Sequence, residues 1–176
     1  MKIDLSKIEG EPETFAETFV LGEDRLDPDR VIGGMNVHLE GKVRPVGEHF
    51  LVDGRLTASG QVNCGRCLEP VDWRTDTSFN VEVALAEAAP LDPEIALDEA
   101  DLDLVYLEKP ILELEELAIE QVELELPIRV LCSEECAGLC PRCGANRNEE
   151  GACQCEPEAD PRWAALKDLA GQGPVD

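Results

Sequence analysis

Alternating apolar and polar residues fill much of the first half of the chain and predict β-strands. Between residues 52 and 64 the even positions are apolar or small, while the odd positions are polar. After the interruption "GRCLEP" the apolar residues fall mostly on odd positions, from Val71 to Leu85. Because side chains alternate between the two faces of a strand, these runs predict two antiparallel neighbours joined through that interruption.

Two stretches further upstream extend the predicted sheet. Met35, Val37, Leu39 and Val43 form another alternating run, and "ETFAETFVL" at residues 13–21 predicts an edge strand. Half-buried strands of this kind are typical of antiparallel sheets with one face in water. We therefore expect an antiparallel sheet or a small open barrel of four or five strands.

A helical period replaces the alternation in "PILELEELAIEQVELELP", residues 110–127. Ile111, Leu114, Ala118 and Val122 fall on one stripe of a helix, and most of the glutamates lie away from it. The closing proline cannot continue a helix. The pattern predicts an amphipathic helix packed on the sheet with its glutamates in water. An acidic docking surface is an alternative role for the same glutamates.

The predicted fold class is α+β, and the chain divides into two parts. Residues 1–130 form the sheet-and-helix body, in which the acidic, alanine-rich residues 86–109 make a solvated connection. Residues 131–176 form a cysteine-rich, metal-binding segment that resembles a zinc ribbon. This segment ends in a short helix, because "DPRWAALKDLAG" at 160–171 supplies a capping aspartate, a proline at the first helical position and a terminating glycine.

Composition indicates an aliphatic core and a location in the cytoplasm. Aromatic residues make up 4% of the 176 residues, so valine, leucine, isoleucine and alanine must fill most of the core. The N-terminal sequence has no continuous apolar region, and nowhere do 18 apolar residues run together. We therefore expect a cytoplasmic protein that does not associate with membranes.

The formal net charge of -24 is unevenly distributed along the chain. Residues 81–126 carry 15 acidic side chains and one basic side chain, whereas residues 41–80 carry five of each. Because proteins bind nucleic acid phosphates largely through lysine and arginine, this acidity argues against generic nucleic acid binding. Of these stretches, the neutral one is the better suited to face a polyanion.

The eight cysteines occur as four closely spaced pairs. Disulfides are rare in the reducing cytosol, so we interpret the cysteines as metal ligands. A short turn presents two thiolates to one zinc ion, and four thiolates complete its tetrahedron. The pairs are Cys64 and Cys67, Cys132 and Cys136, Cys140 and Cys143, and Cys153 and Cys155.

Two structural zinc sites per chain are predicted from these pairs. The last two pairs close the nearest loop, which favours Cys140, Cys143, Cys153 and Cys155 as one compact site. The first two pairs then form a second site that ties the sheet to the start of the cysteine-rich segment. An interleaved pairing, in which the second pair joins the third, is an alternative. So is an iron-sulfur cluster, which also uses four cysteines.

The sequence shows no catalytic motif, so we predict a protein without enzymatic activity and without a small-molecule substrate. It lacks a Gly-rich phosphate loop and a GxSxG motif, and its two histidines, His38 and His49, fall near the predicted sheet. Four-cysteine tetrahedra leave no open coordination position for catalysis. The alternative is a thiol-disulfide redox protein that uses Cys64 and Cys67.

Three motifs resemble the bacterial YceD family of large ribosomal RNA subunit accumulation proteins. They are "VNCGRCLEPV", "ELPIRVLCSEECAGLCPRCGANRNEEGACQC" and "DPRWAALKDL", in that order, within roughly residues 50 to 170. The positions that match are the eight cysteines, Arg66 and the triplet Asp160, Pro161 and Arg162. The resemblance implies a role in the accumulation or processing of large-subunit ribosomal RNA, and so in ribosome assembly.

Two kinds of partner agree with the role that the resemblance implies. Arg55, Arg66 and Arg74, together with Lys42 and Arg44, would form a local positive face that binds precursor ribosomal RNA. Alternatively, the acidic connection and helix would hold a basic ribosomal protein of the large subunit. The sequence does not decide between these two partners. A third alternative is that the acidic surface only keeps the protein soluble.

Overall fold

The computed structural model describes residues 1–86, 104–149, 153–155 and 162. Within these residues the chain forms seven β-strands and one α-helix. In chain order they are β1 (Lys2–Asp4), β2 (Glu13–Leu21), β3 (Val31–Val46), β4 (His49–Asn63), β5 (Pro70–Leu85), β6 (Leu104–Leu107), β7 (Ile111–Glu113) and α1 (Leu114–Glu125). Single 3-10 turns at Leu5–Lys7 and Glu23–Arg25 follow β1 and β2.

Five strands form one curled sheet in the order β2-β3-β4-β5-β6. The first four are antiparallel to their neighbours, and the alternating runs of the sequence become the long strands β3, β4 and β5. β2 is the edge strand predicted at residues 13–21. Within the described residues the sheet does not close on itself, so the architecture is a half-barrel. The predicted fold class is confirmed.

One strand lies where the sequence predicted a connection. β6 falls inside the range 86–109 and pairs in parallel with the end of β5, which makes the sheet mixed rather than purely antiparallel. The run "LVYL" suits a strand, but the acidic residues around it hid that signal. Residues 87–103 of the predicted connection lie outside the described residues.

α1 packs against the sheet with its apolar stripe buried, as predicted. The helix begins at Leu114 rather than directly after Pro110, because residues 111–113 form β7 and pair with β1. The partner strand lies more than 100 residues away in the sequence, so a local period does not show it. The predicted end of the helix before Pro127 is confirmed.

The core between α1 and the sheet is aliphatic, as the composition predicts. Each fully buried valine, leucine, isoleucine or methionine side chain contributes about 1.5–3 kcal/mol to the stability of the fold, relative to an exposed one. Both the sheet and the helix contribute to this core. The largest side chains with less than 2% exposure are Ile3, Leu5, Leu21, Met35, Leu39, Leu56, Leu114, Val37, Val43, Val52, Val83 and Val122.

The β4–β5 turn and the segment after α1 meet at one end of the sheet. The N–H of Gly65 in the turn donates to the Val130 carbonyl across 2.8 Å, and the N–H of Leu139 donates to the Arg66 carbonyl across 3.0 Å. These bonds hold the cysteine-rich segment against the body. The predicted division of the chain at residue 130 stays a prediction.

The short helix predicted at residues 160–171 lies outside the described residues, apart from Arg162. In the part of the chain that the structure does describe, no helix has the length and apolar character needed to span a membrane.

Candidate metal centres

Four cysteines from two distant segments form the first cluster. Cys64 and Cys67 come from the β4–β5 turn, Cys132 and Cys136 come from the segment after α1, and all four Sγ atoms lie within 4.8 Å of one another. The Sγ atoms of Cys64 and Cys136 are 3.8 Å apart, and those of Cys67 and Cys132 are 3.6 Å apart. Metal–sulfur bonds of about 2.3 Å give a tetrahedron with edges of about 3.8 Å. The spacing of the sulfurs therefore fits one metal ion.

The other four cysteines form the second cluster. The Sγ atoms of Cys140, Cys143, Cys153 and Cys155 also lie within 4.8 Å of one another. Gly144 shapes the first turn: its N–H donates to the Cys140 carbonyl across 2.8 Å, and its φ of 75° is one that glycine adopts without strain. Both clusters have the membership that the sequence spacing favours, and the interleaved pairing is not seen.

No disulfide joins the eight cysteines, all of which belong to the described residues. They are free thiols, and the 3.6 and 3.8 Å separations in the first cluster are far above the roughly 2.05 Å of an S–S bond. Cys64, Cys67, Cys136 and Cys140 are buried. Thiolates packed so closely repel one another, and a bound cation removes that repulsion.

Backbone N–H groups polarise the first cluster. Burial raises the pKa of Cys64, but the N–H groups of Cys67, Arg66 and Cys132 donate to its sulfur and lower the pKa to about 6. This sulfur is therefore mostly a thiolate at neutral pH. Burial raises the pKa of Cys67 to about 12, and the neighbouring thiols act in the same direction. A cation attracted by the first thiolate would favour ionisation of the others.

In the second cluster too, the pKa of one thiol is lowered and that of another is raised. The N–H groups of Cys143 and Arg142 donate to the sulfur of Cys140 and lower its pKa to about 6. Hydrogen bonding with Cys143, together with burial, raises the pKa of Cys155 to about 12. Partners of this kind orient a metal ligand and tune its basicity.

Two asparagines connect the clusters to each other and to the β4–β5 turn. The Asn148 side-chain amide donates to the Sγ of Cys136 across 3.4 Å, and its Oδ1 accepts from the N–H of Ala137 at 2.7 Å. Asn148 also donates to Asn146, whose own amide donates to Glu69 across 3.3 Å. Neither asparagine was predicted from the sequence. The signal that could have found them is the motif "NRN", because asparagines commonly bond the backbone two residues on.

Arg66, predicted to bind RNA, lies inside the cysteine-rich region. Its guanidinium donates to the carbonyls of Cys136 at 2.8 Å and Glu134 at 3.3 Å. The side chain therefore joins the β4–β5 turn to the turn that carries Cys132 and Cys136. Its contact with RNA stays a prediction.

The other two arginines of that prediction share the outer face of the sheet. Arg55 donates to both carboxylate oxygens of Asp76, at 2.6 and 2.7 Å, and Arg44 nearby lies 3.5 Å from Asp53. Arg74 has no ion-pair partner among the described residues and lines two shallow depressions of the outer face. The structure thus separates Arg66 from the other two, and RNA binding by any of the three stays a prediction.

The described residues place no histidine in either cluster. His38 hydrogen-bonds Thr18 at 3.1 Å, and His49 hydrogen-bonds Glu82 at 2.9 Å, both on the sheet. Each cluster offers four sulfur ligands, which satisfy a tetrahedral metal ion completely. The clusters are therefore placed to bind metal ions and to stabilise the fold around them.

Comparison with known proteins finds one matching family and several mycobacterial relatives. A family model described as "Large ribosomal RNA subunit accumulation protein YceD" matches residues 52–170. Uncharacterized proteins of Mycobacterium tuberculosis and Mycobacterium bovis are each 36% identical over 140 residues, which is 78% of this chain and 64% of the relative. An uncharacterized protein of Mycobacterium leprae is 30% identical over 136 residues, 77% of this chain and 60% of its own length.

The matched region thus spans less than two thirds of these relatives. No solved structure gives a significant match. The family model nevertheless covers well over half of the chain and includes every cysteine of both clusters. The chain belongs to the YceD family of large ribosomal RNA subunit accumulation proteins.

Proposed function

We propose that the protein is a non-enzymatic, cytoplasmic factor in the accumulation or processing of large-subunit ribosomal RNA, and so in ribosome assembly. The observation that carries this proposal is the family match over residues 52–170. The match includes the β4–β5 turn, α1 and both cysteine clusters.

In this proposal each cluster holds one zinc ion, so the chain binds two. Four thiolates at the edge length of a tetrahedron are a donor set that zinc takes in structural sites. An iron-sulfur cluster places several irons between its cysteines and needs more room than a spread of 4.8 Å between sulfurs leaves. The first zinc ion fixes the segment after α1 to the sheet, and the second folds the loop beyond it.

The redox alternative at Cys64 and Cys67 has less support. Reactive dithiols are partly exposed, whereas these two side chains are 0% and 3% exposed. Each sulfur also contacts a sulfur from the other segment, Cys136 or Cys132. Oxidation of the pair to a disulfide would withdraw two ligands from the proposed first zinc site.

The factor acts by binding precursor ribosomal RNA or a basic ribosomal protein of the large subunit. For RNA, the support is Arg74, which lies on the outer face without an ion-pair partner among the described residues. For a basic protein, the support is the acidic surface of α1 and its surroundings. Arg55 and Arg44 favour the second partner, because carboxylates of the same sheet already accept their hydrogen bonds.

Deletion of the gene tests the proposed role. We expect fewer large subunits relative to small subunits in a sucrose gradient, and an accumulation of immature large-subunit RNA ends by primer extension. Wild-type protein supplied in trans should restore both. A deletion strain with a normal subunit ratio and mature RNA ends would overturn the proposal. Elemental analysis of the purified protein should give about two zinc ions per chain, as two closed four-cysteine sites require.

A further inference from the structure

Apolar side chains surround a small cleft beside the first cysteine cluster. The cleft has a volume of about 110 Å³ and lies between the β4–β5 turn and the residues that follow α1. Leu68 and Ile128 stand on opposite segments of its lining, with 59% and 103% of their surfaces exposed. We call it the Leu68–Ile128 cleft. Exposed apolar side chains grouped around a concave surface mark interaction sites more often than chance.

Leu68 also has an unfavourable backbone conformation. Its φ is 62°, and among the described residues it is the one non-glycine residue with a positive φ. Its N–H donates to the Cys64 carbonyl at 3.0 Å, and the Cys64 N–H donates to the Glu69 carbonyl at 2.9 Å, so the turn holds it there. Gly144 takes the equivalent position after Cys143, with a φ of 75° and its N–H on the Cys140 carbonyl, so this conformation belongs to the cysteine turn. It leaves the Leu68 side chain exposed beside the cleft.

The shape of the cleft is fixed before any partner arrives. The Arg30 guanidinium donates to the carbonyls of Leu126 at 2.9 Å and Pro127 at 2.7 Å. The N–H of Gly65 donates to the carbonyl of Val130. The N–H of Asn63 donates to the Arg30 carbonyl at 2.8 Å, so Arg30 links the end of β4 to the residues that follow α1. A preformed site of this kind loses little conformational entropy on binding.

A larger, acidic depression continues from the cleft along the end of α1. It shares Arg30 and Leu126 with the cleft and exposes 78% of Leu124. Four carboxylates lie on the lining of the two depressions. They are Asp27, Asp29, Glu120 and Glu123.

Arg30 is the one cation among the described residues that line the two depressions. In the described part of the chain no cation pairs with Glu120 or Glu123, and Arg30 is bonded to backbone carbonyls. Burial raises the pKa of Glu120, and the negative charges of Glu116 and Glu123 raise it further. Hydrogen bonds to neutral carbonyls do not cancel the charge of Arg30, so the two linings together carry four carboxylates and one guanidinium and are net negative around an apolar centre.

We propose that this surface binds a lysine- and arginine-rich protein segment, which places an apolar side chain in the Leu68–Ile128 cleft and its cations against the surrounding carboxylates. The inference rests on the proposed function and names a protein, not RNA, as the partner at this site. Phosphates would meet the same carboxylates and be repelled. An apolar anchor inside a charged rim is the usual arrangement of a binding hot spot.

Fluorescence anisotropy with two labelled peptides tests the proposal on the zinc-loaded full chain. Both peptides have about 16 residues and equal numbers of lysines; one carries two leucines where the other carries serines. At about 150 mM salt, which screens weak nonspecific attraction, we expect the leucine peptide to bind at least about five-fold more tightly. Ile128→Ser and Leu68→Ser should each remove that difference and leave binding of the serine peptide unchanged.

Matched variants separate this surface from the rest of the protein. Val20 on edge strand β2 is 80% exposed, so Val20→Ser should bind both peptides as wild type does. Glu120→Gln with Glu123→Gln should weaken both peptides. Glu13→Gln with Glu48→Gln, at the opposite end of the sheet, should have a smaller effect. Because Ile128 is fully exposed, its serine variant should retain the fold and both zinc ions.

Several results would overturn the proposal. An equal effect of Val20→Ser would show nonspecific binding. If a 20-nucleotide single-stranded RNA binds more tightly than the leucine peptide and Ile128→Ser abolishes that binding, the cleft is assigned to RNA. A concentration-dependent dimer abolished by Ile128→Ser would assign it to a second copy. Nuclear Overhauser contacts between the Ile128 methyl groups and Trp163 in the free protein would assign it to the chain's own C-terminal residues.

The cleft and the proposed function can fail separately. If Ile128→Ser removes the preference for the leucine peptide but fully restores ribosomal subunits in the deletion strain, the cleft is not the working surface and the family role stands. If deletion itself leaves the subunits unchanged, the proposed function fails whatever the peptides do.

Discussion

The side-chain amide of Asn148 donates to the Sγ of Cys136 across 3.4 Å, so the loop that closes the second cysteine cluster contacts a sulfur of the first. The same side chain accepts from the N–H of Ala137, next to that cysteine. Hydrogen bonds to a ligand orient it and tune its affinity for the metal. One asparagine therefore couples the two proposed zinc sites.

Asn148→Ala should weaken zinc binding at the first site by about ten-fold, the low end of the effect of removing such a partner. The affinity is best measured by competition with a chromophoric chelator in the otherwise wild-type chain, with the titration fitted to two sites, because Asn148 belongs to the loop that the second site folds. Asn148→Asp should weaken the site more, because a carboxylate would face the thiolates.

Asn36→Ala, on the outer face of the sheet, is the matched control and should retain wild-type affinity. Unchanged zinc affinity in Asn148→Ala would show that the amide does not support the site.

Loss of one ligand should remove one zinc ion and destabilise the part of the chain that the site organises. Cys64→Ser should retain about one zinc per chain and release the segment after α1 from the β4–β5 turn. Cys153→Ser should also retain about one zinc per chain, but the segment after α1 should stay attached to the β4–β5 turn. Zinc binding contributes on the order of 10–16 kcal/mol to the folding of small zinc-finger peptides. A strong chelator should therefore unfold at least residues 132–155.

Elemental analysis and near-UV circular dichroism measure these outcomes. The protein should show no titratable thiols before chelation and eight after it, the full number in the sequence. A near-UV spectrum that is unchanged in excess chelator, or two zinc ions retained in either variant, would contradict the two-site arrangement.

The features that the sequence predicted well are those set by local patterns. Strands β3, β4 and β5 each bury one face, so their period of two is visible without the structure. The grouping of the cysteines followed from short loops, because two ligands in one turn must serve the same ion. The apolar stripe of α1 was likewise visible from its own residues.

The features that the sequence did not predict depend on contacts between distant residues. Ile111–Glu113 continues a helical pattern but becomes β7, because Lys2–Asp4 supplies a strand for it to pair with. The contact of Asn148 with Cys136 requires both cysteine loops to be folded. The positive φ of Leu68 arises in a turn closed by Cys64 and Glu69, and nothing about leucine itself suggests it.

Glu120→Gln should stabilise the protein at neutral pH. Burial raises the pKa of Glu120 above the ordinary glutamate value of 4.5, and Glu116 and Glu123 add to the effect. The folded state therefore binds a proton more readily than the unfolded chain, so stability falls as pH rises from 4.5 through the raised pKa. The uncharged variant escapes this loss. Its gain at pH 7 should be about 0.5 kcal/mol, the size of a like-charge pair on a helix.

Urea unfolding at pH 7 and pH 4 measures the difference between the variant and wild type. The gain should largely disappear near pH 4, where the carboxyl is mostly protonated in both states. Comparing the proteins at each pH cancels the effect of acid on the cysteines, which both share. Glu48→Gln, on the β3–β4 turn, is the control and should change stability little. A gain for Glu120→Gln that persists at pH 4 would show that the side-chain amide, and not loss of charge, stabilises the helix.

Gly138→Ala should destabilise the attachment of the cysteine-rich segment to the β4–β5 turn. Gly138 has a φ of 71°, and an added Cβ would lie 3.0 Å from the carbonyl oxygen of Arg66. That carbonyl accepts the N–H of Leu139, so the methyl group would push against the bond that joins the two segments. Faster hydrogen exchange at the Leu139 N–H should accompany the loss of stability.

Gly144→Ala is the matched control for this substitution, because Gly144 has a φ of 75° but an added Cβ there would meet no atom within 4 Å. The left-handed conformation alone should cost Gly144→Ala about 1–2 kcal/mol. Gly138→Ala should cost more, since its methyl group adds the contact with the Arg66 carbonyl to the same backbone strain. Equal losses of unfolding free energy in the two variants would show that this contact does not limit the packing of the segment.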